Sequence, residues 1–303
     1  METKKLKKEK KEKNKLVIAI SSRALFNLDL SHQIFKDEGI EAYAKHQQEN
    51  ENVILEPGVG FTLVKKLLQL NSKKTPIDVI LLSRNSADTG LRIFNSIEHY
   101  GLNISRAAFT RGESTHPFVG AFEADLFLSS NYNDVQKALQ SGYAAASIVE
   151  SKSNNSHPSQ LRIAFDGDAV IFSDESERIF QEQGLEAFHE NEKRSENIEL
   201  KAGPFKSFLV SLQKIQSTFP EENNPIRTAL VTARSAPSHK RVIHTMREWG
   251  IRIDESFFLG GLEKGIFLRE FAADIFFDDQ QQHCNSASKY VPTGHVPSGI
   301  KNI

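Results

Sequence analysis

Cys284 is the only cysteine among 303 residues. An intramolecular disulfide is therefore excluded, and a zinc site built from thiolates is not expected. No apolar run approaches the roughly 20 residues needed to span a bilayer. The charged start does not lead into an apolar segment with a small-residue cleavage site, so no secretory leader is expected. An excess of one charge is also missing, because 38 Lys and Arg stand against 39 Asp and Glu for a formal net charge of −1. That balance argues against a dedicated nucleic-acid binder. Residues 1–15, METKKLKKEKKEKNK, are a local exception. They read as a basic, solvated, disordered tail, with an anchor for RNA or anionic lipid as the alternative. A reducing, cytoplasmic setting fits these absences.

What is present is a repeat. IAISSRALFNLDLSHQIFKDEGIEAY (18–43) aligns without a gap on IAFDGDAVIFSDESERIFQEQGLEAF (163–188), and ILEPG (54–58) continues the register over ELKAG (199–203). After a short insertion, LLSRNSADTGLRIFNSIEHYGLNISRAAF (81–109) lies over LVTARSAPSHKRVIHTMREWGIRIDESFF (230–258), and EADLFLSS (123–130) over AADIFFDD (272–279). The chain thus divides into a basic tail at 1–15, a first lobe at 16–150, a polar linker at 151–160 and a second lobe at 161–303. Each lobe alternates short apolar runs with helical periods. LVIAI, DVILL and ADLFL are matched by LRIAF, TALVT and ADIFF. The pattern predicts an open parallel α/β sheet with its site at the carboxyl ends of the strands.

Those ends carry chemistry in the second lobe only. LRIAF runs into Asp166-Gly167-Asp168, TALVT ends at Thr232, and DIFF ends at Asp278-Asp279, with Lys264 in the glycine-containing loop between the last two. A phosphate monoester repels nucleophiles through its own charge, and a carboxylate attacks it only when cations offset that charge. Asp166 is the candidate nucleophile and Asp168 the candidate acid/base. Gly167, Thr232 and Lys264 are candidate phosphate ligands. Asp166, Asp168, Asp278 and Asp279 form a candidate oxygen-ligand set suited to Mg²⁺. The first lobe has Ser21-Ser22-Arg23, Ser83, Thr115 and Ser129-Ser130 at the matching positions. It keeps the apolar scaffold and loses every carboxylate at these strand tips, so it reads as non-catalytic. Arg23, at the acid/base position, is either a salt-bridge residue or the mark of a retained nucleotide pocket, which makes a nucleotide effector a candidate partner of that lobe.

FDGDAVIFSDESE, LVTARS and FFDD resemble the motifs of the haloacid-dehalogenase-like phosphatase superfamily. More narrowly, SSRALFNLDLSHQIF, ENENVILEPG, FNSIEHYGL and RIAFDGDAVIFSDESE resemble segments of the AMP-preferring, type I cytosolic 5′-nucleotidases, from about residue 16 onward. The resemblance implies two tandem Rossmann-like lobes, the first degenerate, with a small cap on the second. It also implies Mg²⁺-dependent hydrolysis of AMP, dAMP or related 5′-monophosphates, with the roles given above carried by the same residues. Where that family has a lysine in the first lobe, this chain has Thr115.

The stretch 172–188 lies where the superfamily inserts its cap. Ser173 or Ser176 could cap a helix there. Asp174 and Glu175 are candidates for substrate contact or for plain structure, as is Arg234. Most of the 21 phenylalanines are expected in the core, with Phe172 or Phe205 near the cap as candidates for stacking on a base that no spacing argument selects. A different small phosphomonoester, phosphoryl transfer to an alcohol, and nucleotide binding or scaffolding through the first lobe are the competing functions. A homo-oligomer is left open.

Overall fold

Short β-branched runs make buried strands, and the amphipathic segments between them make the helices that cover the sheet. The computed structural model describes residues 15–149, 151 and 156–302; residues 1–14 of the basic tail and 152–155 of the linker lie outside them. In the first part of the chain the strands are β1 (Leu16–Ser21), β2 (Ile77–Ser83), β3 (Arg106–Phe109), β4 (Leu126–Ser129) and β5 (Ala144–Val149). The helices are α1 (Ser22–Leu25), α2 (Asp29–Glu49), α3 (Phe61–Leu70), α4 (Leu91–His99), α5 (His116–Ala121) and α6 (Tyr132–Gln140). In the second part the strands are β6 (Leu161–Phe165), β7 (Ile226–Thr232), β8 (Glu255–Phe258), β9 (Ile275–Asp278) and β10 (Thr293–His295). Here the helices are α7 (Glu175–Arg194), α8 (Lys206–Gln216), α9 (His239–Glu248), α10 (Gly265–Phe271) and α11 (Gln281–Ala287).

All ten strands form one sheet in the order β3-β2-β1-β4-β5-β10-β9-β6-β7-β8. Neighbours are parallel except β5 and β10, which run antiparallel with Val149 opposite Thr293 and Ser147 opposite His295. The fold is therefore α/β with a large, mostly parallel sheet. The order β3-β2-β1-β4-β5 recurs as β8-β7-β6-β9-β10. Because the central pair is antiparallel, the carboxyl ends of β1–β5 and of β6–β10 lie at opposite ends of the sheet.

One face of the sheet has a continuous core. Phe61, Val64 and Leu67 from α3 join Phe208, Leu209 and Leu212 from α8 in a single buried cluster. The other face has two separate clusters, one around Phe127 and Val135 and one around Phe276 and Leu268. Polar ties reinforce the shared face. Lys66 Nζ on α3 reaches both carboxylate oxygens of Asp274 at 2.7 and 2.8 Å. Ser211 Oγ on α8 donates to Asp125 at 3.0 Å.

The segment after β6 turns tightly over Gly167–Ile171, with Ala169 at φ 59°, and then enters α7. Its N-cap is Asp174, without a side-chain capping bond, and not Ser173 or Ser176. Ser176 lies inside the helix, where its hydroxyl donates to Glu192 at 2.8 Å. The helix kinks at Gly184 (φ 85°), as α2 does at the matching Gly39 (φ 87°). Gly203 clasps the far end of this excursion to its start. Its N–H donates to Ile171 O at 2.9 Å, and a β-carbon there would come 2.3 Å from Phe172 O and 2.5 Å from Val170 O. Both neighbours are backbone and cannot rotate away. Gly203→Ala should therefore destabilise the protein by roughly 2–3 kcal/mol. Urea unfolding measures this directly, and an unchanged midpoint would contradict the clasp.

Candidate active site

The strand-end residues of the second part of the chain converge. Asp166 follows β6, with its N–H donating to Phe277 O of β9 at 2.8 Å. Lys264, just before α10, places Nζ 2.9 Å from Asp166 Oδ1 and 2.6 Å from Asp278 Oδ2. Carboxylate oxygens of Asp166, Asp278 and Asp279 lie within 4.8 Å of one another. All four residues are buried. Gly167 sits against Thr232, since a β-carbon on it would come 3.3 Å from Thr232 Oγ1. That hydroxyl, at the end of β7, accepts from the Arg234 N–H at 3.2 Å.

One ammonium contacts two of three buried carboxylates, and their proton affinities diverge accordingly. Burial and the neighbouring Asp278 raise Asp166 to about 6, against the pull of Lys264. Burial together with Asp166 and Asp278 raises Asp279 to about 9. Burial alone would raise Asp278 too, but Lys264 and His283 outweigh it and hold that carboxyl at about 2. Lys264 is raised, since Asp166 and Asp278 overcome the effect of its burial. Asp278 is further committed to Gln280 N at 2.8 Å and has His283 Nδ1 3.3 Å away. Among the described residues the Asp279 carboxylate has no hydrogen-bond or ion-pair partner. A buried, anionic, all-oxygen cluster with one uncommitted carboxylate fits a hard divalent cation.

The carboxylate of Asp168 is not part of this cluster. Arg234 grips both its oxygens, with Nε to Oδ2 at 2.8 Å and Nη2 to Oδ1 at 2.7 Å. The remaining Arg234 nitrogen reaches Glu192 at 2.6 Å, and the Phe188 ring lies 5.5 Å from the guanidinium. Arg234 is thus buried and fully engaged by protein groups. Asp174 pairs with Arg178 at 2.7 Å, and Glu175 with Arg241 at 2.9 Å and Lys201 at 3.5 Å. Phe172 and Phe205, read from sequence as stacking candidates, are fully buried core residues, and Phe172 packs 5.6 Å from Trp249. Sequence reasoning missed Glu192, Arg241 and His283. Only the alignment of Glu192 with Gln47 and of Arg241 with Arg92 could have drawn attention to the first two.

At the carboxyl ends of β1, β2 and β4 stand hydroxyls. Ser22 Oγ meets Ser83 Oγ at 3.1 Å, and the Ser130 N–H donates to Ser21 Oγ at 3.2 Å. Arg23 pairs loosely with Asp29 at 3.4 Å. One carboxylate does enter, from α6. Asp134 accepts from Thr115 at 3.2 Å and from Arg84 at 2.7 and 2.9 Å.

Residues 8–303 match the family model described as 5′-nucleotidase. The chain is 41% identical over 293 residues to human cytosolic 5′-nucleotidase 1B, covering 92% of this chain and 48% of that protein. It thus spans about half the length of that curated relative. No solved structure matches. A family match over almost the whole length, coinciding with a lysine-bridged carboxylate cluster at the strand ends, establishes that the chain belongs to the 5′-nucleotidase family.

Proposed function

We propose that this protein is a Mg²⁺-dependent phosphomonoester hydrolase acting on nucleoside 5′-monophosphates, with AMP and dAMP first among them on the family resemblance. The observation that carries the reading is Asp166, buried at a strand end 2.9 Å from Lys264 and clustered with Asp278 and Asp279. The second part of the chain is the catalytic copy of a duplicated fold, and the first, whose strand tips hold hydroxyls, is the degenerate one. The relative's name suggests a cytosolic setting.

Asp166 and Asp279 would hold the metal ion, because Asp278 already serves Lys264, Gln280 and His283. Bound there, the cation would offset the negative charge of the phosphoryl group. Thr232 Oγ1 and Lys264 Nζ orient the phosphoryl oxygens. An Asp166 carboxylate oxygen attacks phosphorus, the bond to O5′ breaks, and Asp168, which enters this step protonated with one oxygen turned from Arg234 to the substrate, gives its proton to the departing oxygen. The nucleoside leaves and an aspartyl-phosphate remains. Water then attacks its phosphorus, Asp168 takes the water proton, and phosphate departs with Asp166 restored. Lys264 stays protonated throughout, since its two carboxylates raise its proton affinity.

Asp166→Asn should lower turnover of AMP by on the order of 10⁴-fold or more. Phosphate release from a panel of 5′-monophosphates, 3′-monophosphates and sugar phosphates tests both class and nucleophile. Activity retained by a clean variant sinks the nucleophile assignment, and release from sugar phosphates alone sinks the nucleotidase reading. EDTA should abolish activity and Mg²⁺ should restore it.

The cluster also sets a pH dependence in the metal-free protein. Asp166 and Asp279 hold protons more tightly when folded than an unfolded carboxyl does at about pH 4. Their stabilisation is complete below that value and is lost as pH rises through about 6 for Asp166 and about 9 for Asp279. Asp278 has the opposite sign, and its contribution is lost only as pH falls towards about 2. In EDTA, Tm should fall between about pH 6 and about pH 9, and Mg²⁺ should raise it most at the alkaline end. Thermal unfolding across that range checks the sign, and a flat profile in EDTA contradicts it.

A further inference from the structure

A chain of alternating charges runs away from Asp168 into the protein. Asp168 is held by Arg234, Arg234 by Glu192 at 2.6 Å, Glu192 by Arg241 at 3.0 Å, and Arg241 by Glu175 at 2.9 Å. Ser176 Oγ donates to the same Glu192 oxygen that Arg241 reaches. The side chain of Arg234 is 3% exposed and that of Glu192 0%. Buried ion pairs are expensive to desolvate and are weak stabilisers beside an apolar alternative. A run of them that ends on a site residue therefore asks for a reason other than stability.

The first part of the chain supplies a comparison. In the alignment of the two stretches, Glu192 falls on Gln47, Arg234 on Asn85, Phe188 on Tyr43, Arg241 on Arg92 and Asp168 on Arg23. The same positions are connected there. Arg92 Nη1 donates to Gln47 Oε1 at 3.3 Å, Gln47 Nε2 donates to Tyr43 Oη at 2.9 Å, and Tyr43 Oη donates to Asn85 at 2.8 Å. The scaffold of this network thus persists without the carboxylate. What changes are the two charges that lead to it, with Arg replaced by Asn and Glu by Gln. The two charges are thus absent where the carboxylate they lead to is absent, the pattern expected if they serve it.

We propose that Glu192 is a positioning residue that acts through Arg234 to aim the Asp168 carboxylate at the leaving oxygen. The inference rests on the acid/base reading of Asp168 and extends it to side chains that do not touch substrate. Arg234 sets the carboxylate's place by gripping both oxygens. Glu192 holds the guanidinium from the opposite side, so its charge stays compensated when Asp168 turns an oxygen towards the substrate. Glu192 lies on α7 and Arg234 just beyond β7, so the excursion that follows β6 is tied to the group that protonates the product.

Leaving-group dependence separates this role from a structural one. A nucleoside alkoxide needs a proton to depart, whereas 4-nitrophenolate does not. The paired variant Glu192→Gln/Arg234→Asn removes both charges together and copies the neutral pair at Gln47 and Asn85. It leaves no uncompensated arginine at position 234, and circular dichroism would check its fold. Its kcat on AMP should fall about 100-fold with KM little changed. The first-turnover burst of 4-nitrophenolate from 4-nitrophenyl phosphate should fall by less than about threefold. Asp168→Asn should show the same selectivity, and Glu192→Gln alone should show it more weakly. Wild-type turnover of both substrates by the paired variant, or an equal loss on both, overturns the proposal. If Asp168→Asn is selective and the paired variant is not, this inference alone fails. If Asp168→Asn is not selective either, the acid/base reading falls and takes the inference with it.

Discussion

One antiparallel pairing three residues long, between β5 and β10, organises the whole molecule. Every other neighbouring pair in the sheet is parallel, so this pairing alone reverses the strand direction. It requires close packing at the sheet centre. Gly294 in β10 has no side chain, and a β-carbon there would come 2.9 Å from the Phe277 ring and 3.0 Å from Ala146 Cβ. In the pairing itself Gly294 lies opposite Ile148. Because direction reverses here, the two sets of strand tips face opposite ways and share no ligand space. A carboxylate cluster can occupy one set while hydroxyls occupy the other, with neither disturbing the core between them.

At the carboxylate end, a shortage of positive charge governs the chemistry. Lys264 answers Asp166 and Asp278 and leaves Asp279 uncompensated. That imbalance raises two of the three proton affinities and fits the site to a divalent cation. Asp168 escapes the imbalance because it has its own guanidinium. The site therefore has two electrostatic compartments. One holds Asp166 against a shared ammonium, and the other holds Asp168 against a buried arginine.

Much of this was legible in the sequence. Apolar runs such as LVIAI, DVILL and LRIAF marked β1, β2 and β6, and residues placed just beyond such runs converge because parallel strands end side by side. The two central strands were less visible. AAASIV in β5 opens on three alanines and TGH in β10 is three residues long with a central glycine, so neither makes the long β-branched run that marks a strand in sequence. In the site, Asp166, Lys264, Asp278 and Asp279 meet as their positions suggested. The engagement of Arg234 was not readable, because local sequence does not say which way a long side chain turns. Glu192 sits in HENEK, where it looks like any solvated helix residue, and only the fold buries it. Phe172 and Phe205 lie in the core, as most phenylalanines are expected to, since proximity to a mouth in sequence does not imply exposure to it.

The continuous core on one face of the sheet bears on how the chain holds together. The connection between β5 and β6 joins strands that are not neighbours, since β5 lies beside β10. Cutting that connection would break no strand pairing and expose none of the residues that α3 and α8 bury between them. Lys66 on one fragment would still hold Asp274 on the other, and Ser211 would still reach back to Asp125. The molecule is better regarded as two interlocked pieces that happen to be covalently joined than as two beads on a string.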